Sequence, residues 1–211
     1  MKNPVIIFGA KGLGKVALDI FKSNGVDIFC FLDDDESLKG KLIEEVSVLG
    51  NTDDENFLKL LGKKCEAFIA SDDNKYRLSL INMLVEEKKI MPVNAIHERA
   101  SLSPYASIGH GNMFNAGVVI NSSASIGNYC IIGANATIEH DVVVEDLVQI
   151  GSGSVLCSGV VVEKGAFIGA GVTIVSGIKI GKNARIGAGS VVLSEVKSKE
   201  TVLGNPAKIF S

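Results

Sequence analysis

Residues 131–156 read IIGANATIEHDVVVEDLVQIGSGSVL, with large apolar residues six apart at Ile132, Ile138, Val144, Ile150 and Leu156. The phase continues outward without a break. It starts at Leu102, Ile108, Phe114, Ile120 and Ile126, and runs on through Val162, Ile168, Ile174, Ile180 and Ile186 to Val192. A period of six fits neither a 3.6-residue helix nor the two-residue alternation of a strand. It fits a solenoid of short strands that turns a corner every six residues, each apolar residue pointing into a triangular core. Four places after the apolar residue the chain is usually small or β-branched, as at Ala124, Cys130, Ala136, Ser154 and Ala166. Directly after it glycine is frequent, at 109, 127, 133, 151, 169, 181 and 187, which predicts a turn with an unusual backbone angle. Leu102 to Leu193 then makes about five coils of eighteen residues.

The 95 or so residues in front carry a different pattern. Val5-Ile6-Ile7-Phe8 reads as a buried strand, followed by Gly9-Ala10-Lys11-Gly12-Leu13-Gly14 and an amphipathic helix to about Ser23. A second strand, Ile28 to Leu32, ends in Asp33-Asp34-Asp35. Further helices are expected from Thr52 to Leu61 and from the polar turn Ser71-Asp72-Asp73-Asn74 to about Lys88, with a strand at Ala67–Ala70 between them. Alternating strands and helices predict a small parallel α/β sheet with right-handed crossovers. At this length it is half a dinucleotide fold, which suits one nucleotide better than NAD. The expected division is a Rossmann-like domain over 1–97 and a solenoid with a C-terminal tail over 98–211.

The glycines read G-x-x-G-x-G, not the dinucleotide G-x-G-x-x-G, and take their meaning from the strand before, the helix after and the carboxylates ending the next strand. Backbone amides at that helix start suit a phosphate or a sugar edge. Asp33 or Asp34 suits a nucleobase imide or sugar hydroxyls. The plainer reading is a tight turn beside a solvated acidic loop.

The solenoid holds Ile138-Glu139-His140-Asp141. His140 falls two places after an inward residue, at a corner, and so points outward. Histidine there takes a proton near neutrality, with Glu139 or Asp141 to orient the ring, and such a base suits an amine or hydroxyl attacking a thioester. The plainer reading is a surface histidine beside two acids. His110 has the same repeat phase, but no third histidine lies in the solenoid, so no zinc ligand set is expected.

Composition bounds the rest. An apolar fraction of 46% excludes a disordered chain, and a net charge of −3 gives no reason to expect nucleic acid. The opening apolar run is too short for a signal peptide or a membrane span. Cys30, Cys65, Cys130 and Cys157 form no CxxC pair, and read as reduced thiols in a cytoplasmic protein.

Along nearly its whole length the chain resembles the bacterial sugar acyltransferases that include sialic acid O-acetyltransferases and UDP-4-amino-sugar N-acetyltransferases. The resemblance lies in Ile7–Gly14, Phe31-Leu32-Asp33-Asp34, Ile138–Asp141 and the tail Gly204-Asn205-Pro206-Ala207-Lys208. It implies a left-handed parallel β-helix, a handedness that the period alone does not give. It also implies a homotrimer, with acetyl-CoA lying between neighbouring solenoids and no metal.

By the family pattern His140 is the general base and Asp141 the acid that tunes it. Lys11, Gly12, Leu13, Asp33 and Asp34 fall at nucleotide-sugar positions, and Gln149, Ala170 and Ala188 at acetyl-CoA positions. Three places depart from the pattern. Leu13 and Gln149 stand where the family often has histidine, and Gly133 where it often has asparagine, with Asn135 nearby as a substitute. The expected activity is acetyl-CoA-dependent N-acetylation of a nucleotide-linked amino-deoxy-sugar. The alternatives are O-acetylation of a sialic acid or other sugar hydroxyl, and a non-catalytic nucleotide-sugar-binding scaffold.

Overall fold

Val5-Ile6-Ile7-Phe8 forms β1, buried at every residue, because parallel strands flank it on both sides and side chains cover both its faces. The computed structural model describes residues 3–210 and divides into two compact units between Glu98 and Arg99. In the first unit, α1 (Gly12–Ser23) follows β1 and buries Ala17, Leu18, Ile20 and Phe21. The Phe21 ring meets Phe68 edge-on at 5.5 Å. The sheet continues with β2 (Ile28–Leu32), the hairpin of β3 (Leu42–Ile43) and β4 (Val46–Gly50), and β5 (Glu66–Ile69). Spatial order is β3-β4-β2-β1-β5, all parallel except β3 against β4. Strand order therefore reverses beside β1. In open α/β sheets such a reversal opens a crevice at the carboxyl ends of the strands.

One helix is shorter than its sequence suggests, and another reaches its expected end in a widened form. The stretch 52–61 yields a single turn, α2 (Glu55–Leu58), capped by Asp54, whose Oδ1 accepts from the Asn56 N–H at 2.9 Å. Thr52 stays outside it because its own N–H and hydroxyl both donate to Asp34. The stretch 71–88 gives α3 (Asn74–Ile81), which Asp73 caps, and then widens into a π-type turn over Asn82–Glu87. The β3–β4 hairpin lacks the usual Gly or Asn signal, since Glu44 takes the left-handed turn position at φ 52°.

In the second unit, sixteen two-residue strands from Ser101–Leu102 to Val191–Val192 stack in three parallel rows with an eighteen-residue offset, as in Ile138 beside Leu156. The inward residues from Phe114 to Val192 are all buried. The tail strand Thr201–Leu203 extends the third row beside Arg185–Ile186 and folds back on Lys208–Ile209.

The corners correct one expectation. From Ile108 to Ile186 the residue that turns left-handed lies three places after the inward residue, as at Gly111, Gly117, Gly153, Gly159, Gly171 and Gly177. The same place is filled by Ser123, Asn135, Asp141 and Asn183 without glycine. The glycines directly after the inward residue are needed for room instead. A Cβ on Gly133 would stand 2.5 Å from Ser152 N, and one on Gly151 would strike Ala170 N.

Candidate active site

The crevice in the first unit is a cleft of about 470 Å³ at the ends of β1, β2 and β5. Gly9 and Gly14 shape it from below. Gly9 has φ 108° and faces the Ala70 carbonyl, while a Cβ on Gly14 would collide with the Gly9 carbonyl. Gly12 differs, since nothing lies within 4 Å of its added Cβ. Among the described residues no side chain caps the first turn of α1, and Gly12 and Leu13 both line the cleft. The leading N–H groups of that turn are the kind of donors that suit an anion.

The three consecutive acids do separate work. Asp33 latches the glycine loop to the end of β2, accepting from Ala10 N–H at 2.8 Å and from Asp35 N–H at 2.9 Å. Asp34 accepts from the Thr52 N–H at 2.9 Å, the Thr52 hydroxyl at 2.8 Å and the Tyr76 hydroxyl at 2.8 Å. Desolvation of its carboxyl opposes ionisation, but these donors outweigh it and hold Asp34 below the usual carboxylate range. Asp35 pairs with Lys11 at 2.8 Å and caps Ser37. The Lys11 hydrogen bond and the Ser37 donors bring Asp35 down to about 2. Lys11 is raised in turn by the same pairing, so the one cation lining the cleft among the described residues already has a local counter-charge. Leu13 lines the cleft as an apolar surface, with no polar atom to replace a histidine.

In the second unit His140 stands at a corner with its side chain 59% exposed, and its Nδ1 lies 2.8 Å from Asp141 Oδ2. A carboxylate at Nδ1 selects the tautomer protonated there, which leaves the Nε2 lone pair free. The backbone fixes both residues. The His140 carbonyl accepts from Gly159 N–H at 3.1 Å, and Asp141 N–H donates to the Ser122 carbonyl at 3.3 Å. Glu139 does not orient the ring, because its Oε2 accepts from Asn121 Nδ2 at 3.0 Å.

Ala170 and Ala188 share another edge, where Gly189 N–H bonds the Ala170 carbonyl at 2.8 Å. Gln149 sits on the third row, on the face leading to that edge. The structure thus brings His140 to Asp141 and Ala170 to Ala188. Within one chain it separates the two pairs by the face carrying Val119, Thr137, Val155 and Thr173.

At Gly133 the next coil leaves no room for a side chain. Asn135 does not replace one, since its carboxamide lies over Gly117 in the coil before. His110 is on a different edge from His140, its N–H donating to Asn128. Among the described residues no group of three His, Cys, Asp or Glu is placed to hold a metal ion. Cys30 is buried, and desolvation pushes its thiol up to about 12. Among the described residues no helix is long and apolar enough to cross a membrane. Thr52 and Tyr76, which complete the Asp34 cluster, carried no local sequence signal. They come to Asp34 only when the sheet assembles, from eighteen and forty-two residues away.

Comparison with known proteins places these features. A family model described as the PglD N-terminal domain matches residues 4–84, and one described as the GMPPB C-terminal domain matches residues 114–211. A search of curated protein sequences found no match. Among solved structures, the chain is similar to a variant of GDP-perosamine N-acetyltransferase from Caulobacter crescentus in complex with CoA and GDP-perosamine. The two share 30% identity over 100% of this chain and 98% of that one, with a TM-score of 0.91. The acetyltransferase domain of PglB from Neisseria gonorrhoeae FA1090, in complex with acetyl coenzyme A, matches at 26% identity over 100% of both chains, with a TM-score of 0.91. WeeI from Acinetobacter baumannii AYE matches at 25% identity over 98% of this chain and 99% of its own, with a TM-score of 0.85. On this end-to-end similarity the chain belongs to the bacterial sugar acetyltransferase family, whose α/β domain precedes a left-handed β-helix of hexapeptide repeats.

Proposed function

We propose that the protein transfers the acetyl group of acetyl-CoA to the amino group of a nucleotide-linked amino-deoxy-sugar. The observation that carries the reading is the exposed His140, held by Asp141 at Nδ1 with Nε2 free, in a chain similar throughout to a GDP-perosamine N-acetyltransferase. The neutral amine attacks the thioester carbonyl and forms the C–N bond. His140 Nε2 takes the proton that the nitrogen sheds, and Asp141 stabilises the imidazolium. The tetrahedral intermediate then expels the CoA thiolate, which collects that proton. The Gln149 carboxamide supplies a neutral donor for the developing oxyanion, where a histidine would supply a cation. A positioned base of this kind contributes about 10²–10⁴-fold.

Lys11, Gly12, Leu13, Asp33 and Asp34 form the nucleotide cleft, and Gln149, Ala170 and Ala188 the acetyl-CoA track. Because His140 and the Ala170–Ala188 edge lie apart in one solenoid, the reading calls for a homotrimer in which the edge of one chain meets the next. The cysteines carry no disulfide, in keeping with a cytoplasmic enzyme.

The test is a steady-state assay with acetyl-CoA and either GDP-perosamine or a UDP-linked 4-amino-sugar. Release of one CoA thiol per N-acetylated sugar is expected. Acetyl transfer only to a sugar hydroxyl, or none to any nucleotide-linked sugar, would contradict the reading.

A further inference from the structure

Among the described residues the cleft of the first unit has one aromatic residue in its lining, Tyr76 at the third position of α3. Its hydroxyl is not free to meet a ligand, because it donates to Asp34 Oδ2 at 2.8 Å. Asp34 is in turn fastened by Thr52, through the N–H at 2.9 Å and the hydroxyl at 2.8 Å and 3.0 Å to its two oxygens. Thr52 is buried, so the chain of bonds ends on a fixed part of the fold. The backbone that carries the ring is fixed as well, since Asp73 caps the Tyr76 N–H at 3.2 Å and the Lys75 N–H at 2.8 Å. Tyr76 is therefore tied at its backbone and at its tip, and stands rigidly as a wall of the cleft.

Asp34 thus accepts from three donor groups of its own chain, while each Asp33 oxygen accepts a single backbone hydrogen bond. A carboxylate has about four lone-pair sites, so Asp33 keeps more acceptor capacity than Asp34. The two neighbouring acids are not equivalent.

We propose that Tyr76 is the platform on which the nucleobase of the substrate stacks, and that Asp34 is a positioning residue that holds the ring instead of reading the base. The inference rests on the assignment of this cleft to the nucleotide. The base is the planar π group of a nucleotide-linked sugar, and a ring already held at its tip and through its backbone loses little freedom when a base lies on it. Stacking tolerates any base, because each has a π face, so Tyr76 sets affinity and leaves discrimination to Asp33 and the backbone around it.

Calorimetric titration with GDP and with UDP, on the full-length protein, tests this. Tyr76→Ala should weaken both nucleotides by about 5- to 150-fold, the range that removal of a base-stacking aromatic produces. Tyr76→Phe and Asp34→Asn should each weaken binding less, and the double variant should lose no more than the worse single one, since both break the same bond. Coenzyme A titrated into the same variants should bind as in wild type. In turnover, Tyr76→Ala should raise KM for the nucleotide-sugar and leave kcat in place, a split that a loss of folding would not produce.

Tyr76→Ala binding both nucleotides like wild type would overturn the proposal, as would additive losses from Asp34→Asn and Tyr76→Phe. Wild-type protein that binds neither GDP nor UDP, while binding coenzyme A, would overturn the assignment of the cleft itself and the stacking with it.

Discussion

His140 Nδ1 lies 2.8 Å from Oδ2 of Asp141, and Asp141 occupies the left-handed corner position at φ 61°. The same corner one and two coils further on is glycine, at Gly159 and Gly177. The fold asks only for a residue that tolerates that angle, so the carboxylate is there for what it does to the ring. Asp141→Gly should keep its melting temperature within about 4 °C of wild type, the shift expected of roughly 1 kcal/mol in a chain this size. Its turnover should fall by up to about 10⁴-fold, the loss seen where a carboxylate fixes the tautomer of a catalytic imidazole. Melting scans and steady-state rates on one preparation separate the two effects.

Gly12 and Gly14 make a second pair of neighbours with opposite roles. A methyl on Gly14 would meet the Gly9 carbonyl, whereas one on Gly12 meets nothing in the free protein. Gly12→Ala should fold with unchanged or slightly higher stability, as alanine favours a helix over glycine by about 1 kcal/mol. It should raise KM for the nucleotide-sugar, because the methyl narrows the approach to the first turn of α1. Gly14→Ala should lower the melting temperature and the yield of folded protein.

In the solenoid the comparison is between Gly151 and Gly171. Both are invisible to a hydropathy reading, yet a Cβ on Gly151 would strike the next coil at Ala170, while at Gly171, with φ 66°, nothing lies within 4 Å. Gly171→Ala should cost about 1–2 kcal/mol from the backbone angle alone. Gly151→Ala should cost more, because two coils must part to admit the methyl. Chemical denaturation of the two variants, compared at equal slope, gives the order.

How much of this was legible in the sequence follows from what is local and what is not. The six-residue period placed the inward residues, all buried from Phe114 to Val192, because burial repeats with the coil; Leu102 and Ile108, in the first coil, are only half-buried. The corner glycines misled, since proximity to the coil above leaves no trace in one coil's sequence. His140 and Asp141 are adjacent in the chain, so their pairing could be read directly. Asp34 reached Thr52 and Tyr76 across the sheet, and the helix around 52–61 was overdrawn because Asp54 sets a later start, whereas the helix opened by the turn 71–74 does run to Glu87. Separation of His140 from Ala170 and Ala188 is a matter of counting modulo eighteen, and it is the observation on which the proposed trimer rests.

Acid should loosen the glycine loop in a defined window. Asp35 has its carboxyl lowered from 3.8 to about 2 by Lys11 and Ser37. A depressed acid stabilises the fold above its unfolded value and loses that contribution as pH falls through the folded one. Asp35→Asn should therefore melt below wild type at pH 5 and above, and the two curves should converge as pH drops from about 4 to about 2. A difference that stays constant across that window would show that the Lys11–Asp35 pair does not stabilise the loop.

The most direct measurement is acetyl transfer from acetyl-CoA to GDP-perosamine or a UDP-linked 4-amino-sugar by wild type and by His140→Ala. N-acetylated sugar from wild type is predicted, with turnover lower by about 10²–10⁴-fold in His140→Ala and both substrates still bound. Equal turnover by the two proteins would contradict the account at its centre.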